Sequence, residues 1–464
     1  MGPSASNRSP LSRRSFLRTA ALGPLSVGAL AACGQPAAQN PGASPARAVV
    51  EITYDTWYQV VTDPIVPLFE KFEQEKRIKV RMDLSTGNRK MDRYTAWYVA
   101  DTAPDVVNGD NFSWSKFYNS GVILDLGEYV KRDKINLQRD YALMGSEVWC
   151  GKTYAMPFDA DPRAVFYNKS MLKKAGAPDP WDDLKGQWTL DDMLKIATMT
   201  TQDAGGDISR GQWGVLMDYR GMSEAMGMFV WTFGGTWADF QKMQYTLDSR
   251  ESLEAHQYVE DWVKVKKVVF PHQLGSDLSK IGKGSAFSLG KTAMWVRAAA
   301  SQSAIVKDSG GSFEWDVAPF PGRKKGQPGV TIVSGNPHTV SKSTKHAEAS
   351  YEFAKWLAGD DVQGLWAKEK VVLPTLKRYQ AEFTKDPKRH LNVYADAYKV
   401  PYGIHFRHDN LVKHYGDYSK AMTEVYEPSR GVSDALKEVN QRLNQEVQSG
   451  PCAPYKGMQV PIKP

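Results

Sequence analysis

Between residues 50 and 84 the chain changes its hydrophobic period twice. Val50, Ile52 and Tyr54 alternate with polar neighbours, the mark of a half-buried strand. Asp63 and Pro64 then offer an N-cap and a first helical position, and Ile65, Leu68, Phe69 and Phe72 fall at the helical spacing i, i+3, i+4, i+7. Ile78, Val80, Met82 and Leu84 alternate again. Strand, helix, strand within so short a stretch is a βαβ unit, and a crossover of that kind joins two parallel strands. A helix from Lys90 to Ala100 and a short strand in APDVV, Ala103 to Val107, extend the pattern. The body therefore opens as an α/β lobe.

Further along, Thr189 and Asp192 have the spacing of a capping box ahead of the stripe Leu190, Met193, Leu194 and Ala197. Ala347, Tyr351, Ala354 and Ala358 make another stripe, closed by Gly359. Helices and short strands alternate throughout without a repeat, which reads as two α/β lobes. With 464 residues the chain is long enough for a large core in each.

The segment before the body reads as an address. Ser12 to Arg18 is SRRSFLR, an uncharged stretch runs from Thr19 to Ala32, and LAAC ends at Cys33. A charged region, a short apolar region and small residues at a cleavage point describe an export signal, and the apolar stretch is too short to span a bilayer. Arg13 and Arg14 with Phe16 and Leu17 resemble a twin-arginine signal, and LAAC resembles a lipobox that would lipidate Cys33. The expectation is residues 1–33 as signal peptide, 34–48 as a flexible linker rich in Pro, Ala, Gly and Gln, and a body held outside the cytoplasm by lipid alone. Of the net charge of +7, four units are leader arginines (Arg8, Arg13, Arg14, Arg18). The remainder is too small to argue for nucleic acid. Cys150 and Cys452 remain, and in an oxidising compartment they are either a long-range disulfide or two buried thiols.

From Tyr154 to Leu184 the sequence runs YAMPFDADPRAVFYNKSMLKKAGAPDPWDDL. This resembles the signature of the sugar-binding, family 1 solute-binding proteins of ABC importers, the family that includes maltose-binding protein. APDVV at Ala103, SGVILDL at Ser120, FGGTW at Phe233, FSLGKTAMW at Phe287, WDVAPFPG at Trp315 and VLPTLK at Val372 agree in order. One departure is the run Ala298, Ala299, Ala300 after Arg297, where the family usually carries a Gly and an aromatic.

The resemblance implies a two-lobed periplasmic-binding-protein fold of type II, each lobe an α/β sheet with helices, joined by hinge strands. Lobe 1 would take 49–157 and 318–360, and lobe 2 would take 158–317 and 361–464, with crossings at Pro157 and Val317. It implies a monomeric receptor that closes on a mono- or oligosaccharide and delivers it to an ABC permease, with no catalysis, no cofactor and no metal. Aromatic rings stack on the apolar face of a pyranose, and charged or amide side chains bond its hydroxyl rim. On that basis the ligand-binding candidates are Trp57, Tyr58, Asp110, Asn111, Asp161, Arg163, Tyr219, Glu224, Trp295, Arg297, Asn336 and Tyr415. Trp57 and Trp295 are the expected stacking platforms. Trp97, Trp149, Trp262 and Trp356 read as core, and Trp231 and Trp237 fit either role.

Other chemistry is weaker. GSAFSLGKT, Gly284 to Thr292, has five residues between its glycines where a phosphate loop needs four, and reads instead as a strand leading into MWV. His405, His408 and His414 lack the spacing of zinc helices and read as surface residues. An exported carbohydrate hydrolase, using a carboxylate pair drawn from Asp110, Asp161 and Glu224, is the alternative from another class, and a peptide or metal binder on the same lobes is a third.

Overall fold

The alternating run at residue 50 forms the middle of a parallel trio. The computed structural model describes residues 48–85, 90–109, 114–143, 145–202, 206–222, 224–426, 430–447, 452 and 455–456. The strand Val50–Thr56 pairs in parallel with Ile78–Leu84, Val50 opposite Ile78 and Thr56 opposite Leu84. Its other edge pairs in parallel with Val106–Asn108. Pro337–Val340 and then Ala155–Pro157 add antiparallel strands, completing a five-stranded sheet.

The crossover in this unit is less regular than its hydrophobic stripe. A single α-helical turn, Gln59–Thr62, precedes a 3₁₀ stretch Asp63–Leu68, and the longer α-helix is confined to Phe69–Lys76. Pro67 lies inside the stretch and has no N–H for an i−4 carbonyl, so the α ladder starts after it. Ile65 and Phe72 are buried all the same.

A second sheet holds Trp315–Ala318, Arg163–Asn168, Thr292–Ala298 and Trp213–Leu216, in that order. Arg163–Asn168 is antiparallel to both neighbours, and Thr292–Ala298 is parallel to Trp213–Leu216. The strand begins at Thr292, so the GSAFSLGK segment before it is turn. Every residue of Arg163–Asn168 is buried, as a strand covered on both faces requires.

The chain passes from the first sheet to the second between Pro157 and Arg163, and returns between Ala318 and Pro337. Both passages are braced from the C-terminal third. Asp159–Ala160 pairs with Leu373–Pro374, and Thr331–Ile332 pairs with Tyr402–Gly403. At Gly403 a Cβ would lie 2.2 Å from the Trp231 ring, so only glycine lets this strand approach. The expected division at residue 361 needs correction. Val362, Trp366, Val371, Val372 and Leu376 sit in the core of the first sheet, with the Trp366 ring 4.5 Å from Phe158 and its indole N–H donating to the Val61 carbonyl at 3.1 Å.

Cys150 and Cys452 are joined as a disulfide, their Cα atoms 5.8 Å apart. Among the described residues no helix is long and apolar enough to cross a membrane. Cys33 and the leader lie outside the described residues.

Candidate functional site

Open α/β sheets present their ligand-facing residues at the carboxyl ends of parallel strands. Trp57 and Tyr58 follow directly on Val50–Thr56 and stack on each other, ring centroids 4.6 Å apart. The Tyr58 hydroxyl reaches across to the passage between the sheets and donates to Asp161 Oδ2 at 3.3 Å. Burial, with Asp161 and Asp159 nearby, pushes this phenol well above its ordinary value, so it remains a donor.

Asp161 is fixed from several sides. Its carboxylate accepts the Ala300 N–H at 2.8 Å, its own N–H donates to the Ser334 carbonyl, and its carbonyl accepts Arg163 Nη1 at 2.9 Å. The alanine run that departs from the family pattern thus supplies a backbone donor. Burial pushes the Asp161 carboxyl up while Arg163 pulls it down, and the net direction is upward. Asp159, two residues earlier, is pushed up by burial and then by Asp161. It accepts the Asn336 backbone N–H at 2.9 Å and the Asn336 amide at 3.1 Å.

Arg163 opens an inner strand of the second sheet and is buried, its side chain 5% exposed. The guanidinium holds Glu224 through two bonds, 3.3 and 3.1 Å, and also bonds Ser334. Glu224 lies 3.7 Å from Arg297, which projects from the carboxyl end of Thr292–Ala298 with its side chain 42% exposed. Burial would raise the Glu224 carboxyl, but Arg163 and then Arg297 outweigh it and hold it below its ordinary value. Glu224 is therefore an anion and not a proton donor. Arg163 and Asp161 do not form a simple pair, because Arg163 takes the Asp161 carbonyl and commits its other face to Glu224.

Beside this chain lies a cavity of about 720 Å³ at the carboxyl ends of Trp213–Leu216 and Thr292–Ala298. Tyr219, Arg220, His272, Trp295 and Arg297 line it. Trp295 is half-buried, supported by Phe166 and Phe287 with centroids 6.0 Å away. Tyr219 is buried edge-on against Tyr426 at 4.6 Å, so it contributes wall and not a free face.

The sequence candidates thus separate. Tyr58, Asp161, Arg163, Glu224 and Arg297 form one connected group, with Trp57 stacked at its edge and Trp295 beside it in the cavity. Asn336 uses its donors on Asp159, which makes it a brace of the passage. Tyr415 bonds His405 at 3.1 Å. Asp110 and Asn111 lie outside the described residues. Trp149, Trp231, Trp237, Trp262 and Trp356 are buried, and Trp97 is half-buried under Arg93.

The histidines expected at the surface are inside. His405, His408 and His414 are buried, and burial lowers each below its ordinary value, His408 to about 3. His408 and His414 both meet the Tyr245 hydroxyl, at 2.8 and 3.3 Å. Among the described residues no group of three metal-ligating side chains occurs.

Sequence reasoning missed Asp159 and the aromatic segment from Tyr394 to Tyr402. Tyr394 and Tyr398 lie close enough to Asp161 to feel its charge, and neither hydroxyl has a partner among the described residues. The density of Tyr, His and Phe between 394 and 408 was the available signal.

A family model for bacterial extracellular solute-binding proteins matches residues 54–364. The maltodextrin-binding protein MdxE of Bacillus subtilis (strain 168) is 23% identical over 338 residues, 72% of this chain and 74% of its own. The diacetylchitobiose binding protein DasA of Streptomyces coelicolor is 23% identical over 371 residues, 76% of this chain and 80% of its own. Among solved structures, the ABC substrate-binding protein Lmo0181 from Listeria monocytogenes in complex with cycloalternan superposes with a TM-score of 0.73 at 20% identity, covering 86% of this chain and 98% of that one. The fold is accordingly the two-lobed, type II fold of periplasmic binding proteins, and the paired sheets described above are its lobes. The chain belongs to the bacterial extracellular solute-binding proteins, and with them its place is outside the cytoplasm.

Proposed function

We propose that the protein is the substrate-binding component of an ABC importer, capturing a mono- or oligosaccharide and releasing it unaltered to a permease. The observation that carries this reading is the meeting of Trp57 and Tyr58, from the end of the middle strand of the first sheet's parallel trio, with the Asp161, Arg163, Glu224 and Arg297 chain of the second lobe. Rings beside a rim of fixed donors and acceptors match a pyranose, which has an apolar face and a polar edge. The named ligands of MdxE, DasA and Lmo0181, all carbohydrates, support the same class. A ligand touching both sides of the Tyr58–Asp161 contact would stabilise the closed arrangement over an open one, and a permease reads that difference. The protein is proposed to act as a monomer, anchored by lipid on Cys33, with Trp57 and Trp295 stacking on sugar rings.

A melting-temperature screen against a library of mono- and oligosaccharides tests the reading, because a ligand bound only by the folded form raises the transition. Replacing Trp57 or Trp295 with Ala should weaken binding of the best sugar by ~1 kcal/mol or more. A library without a single stabilising sugar overturns the proposal. So does the appearance of shorter products after incubation, which would favour a hydrolase.

A further inference from the structure

The cavity beside Trp295 is lined by two guanidinium groups whose donors the protein does not fully use. Arg297 reaches only one ionic partner among the described residues, Glu224 at 3.7 Å, and that carboxylate is already held through both oxygens by the buried Arg163. Asp161 also acts on both guanidinium groups, but its carboxylate is turned to the Ala300 N–H and the Tyr58 hydroxyl, and it forms no ion pair with Arg297 among the described residues. Arg220 stands on another part of the wall. It donates Nη1 to Thr423 Oγ1 at 3.3 Å, while its Nε is buried and has no acceptor among the described residues.

The neighbouring groups do not occupy these donors. Asp218 also lines the cavity, but its carboxylate curls back on its own turn. It accepts the Arg220 backbone N–H at 3.1 Å and lies 2.4 Å from where a Cβ of Gly221 would be. His272 is lowered by its burial and then by Arg220, so it stays neutral near pH 7. Four serines, Ser276, Ser285, Ser301 and Ser419, supply hydroxyls. A neutral sugar could bond these groups, but a single hydroxyl does not match the two-donor edge of a guanidinium. A carboxylate accepts from a guanidinium in a planar, two-bond geometry and cancels its charge as well.

We infer that the ligand is an acidic carbohydrate, a uronic acid or an oligosaccharide carrying one, whose carboxylate is received by Arg297 with Arg220 as the second cation and whose ring lies on Trp295. This deepens the proposed function and rests on the sugar reading. It names the polar specificity of the cavity, which the resemblance to binders of neutral oligosaccharides does not contain.

Matched pairs test it by calorimetry with the folded mature protein: glucuronate against glucose, galacturonate against galactose, and trigalacturonate against α-1,4-galactotriose, with succinate as an acid that is not a sugar. The uronate of at least one pair should bind about tenfold or more tightly than its neutral partner, and that advantage should shrink as salt rises. Arg297→Gln and Arg220→Gln should each cut the advantage, while Arg297→Lys keeps part of it. Melting temperatures of the free variants report folding, and either variant alone suffices if the other is unstable. Neutral sugars bound as tightly as their acidic partners would overturn the inference and leave the sugar receptor standing. Succinate binding with no response to any sugar would overturn both. An acidic preference unchanged in both glutamine variants would overturn the assignment of the cations.

Discussion

At the scale of single residues, the site is governed by how buried charge is compensated. Arg163 cannot lose its proton and is almost out of reach of water, so it needs an anion at short range. Glu224 fills that role with both oxygens, and Asp161 helps through its carbonyl and its field. Glu224→Gln preserves shape and removes the charge. It is expected to destabilise the fold by about 3 kcal/mol, the lower end for breaking a buried pair, because Asp161 remains. Urea unfolding of the variant checks this, and a loss below about 1 kcal/mol would mean that Asp161 alone compensates Arg163. The residues of this chain were legible individually: Asp161 and Arg163 fall within the family signature, Glu224 in a loop punctuated by glycine, and Arg297 at the end of the strand after GKTAM. Their pairing was not, because Arg163 and Glu224 are 61 positions apart and the sequence favours the nearer partner, Asp161.

Secondary-structure elements follow local rules where a local rule exists. The capping box at Thr189 forms in full: the Asp192 N–H donates to Thr189 Oγ1 at 3.1 Å, and the Thr189 N–H donates to Asp192 Oδ2 at 2.9 Å. Thr189→Ala should cost about 1 kcal/mol, read as a lower urea midpoint with an unchanged slope. A midpoint within error of the parent would show that the buried stripe of Leu190, Met193 and Ile196 fixes this helix without its cap. The first βαβ unit was legible for the same reason, since its strands announce themselves by period alone. Its crossover departs from one continuous helix because Pro67 acts on backbone hydrogen bonding, which a hydrophobic stripe does not report. The two-residue strands that brace the passages between lobes were invisible. Leu373–Pro374 and Tyr402–Gly403 are too short to show any period, and their partners lie far away in sequence. His405, His408 and His414 were misjudged on the same ground: a histidine's burial depends on a distant partner, here Tyr245 for two of the three.

For the molecule as a whole, the C-terminal third ties the lobes together, and the disulfide is the covalent part of that tie. Cys150 follows directly on Trp149, whose indole N–H donates to Asn119 at 2.8 Å in the first lobe. Cys452 lies three residues before Tyr455, which is buried with its ring 5.9 Å from Trp149 and 4.9 Å from Phe240 in the second lobe. The Tyr455 hydroxyl also accepts the Arg407 N–H at 2.6 Å, and the Gln241 amide donates to the Tyr455 carbonyl at 2.6 Å. The bond closes a loop of 302 positions. In the chain-entropy account, closing so long a loop in the unfolded state is worth about 6 kcal/mol. Replacing both cysteines with serine should therefore lower the unfolding midpoint strongly, and reductant should lower the parent's midpoint while leaving the double variant unmoved. Urea unfolding with and without reductant, alongside a thiol count by mass, makes the comparison. If the double variant loses less than about 1 kcal/mol, the noncovalent seat of Tyr455 holds the tail by itself and the bond adds little to the folded chain.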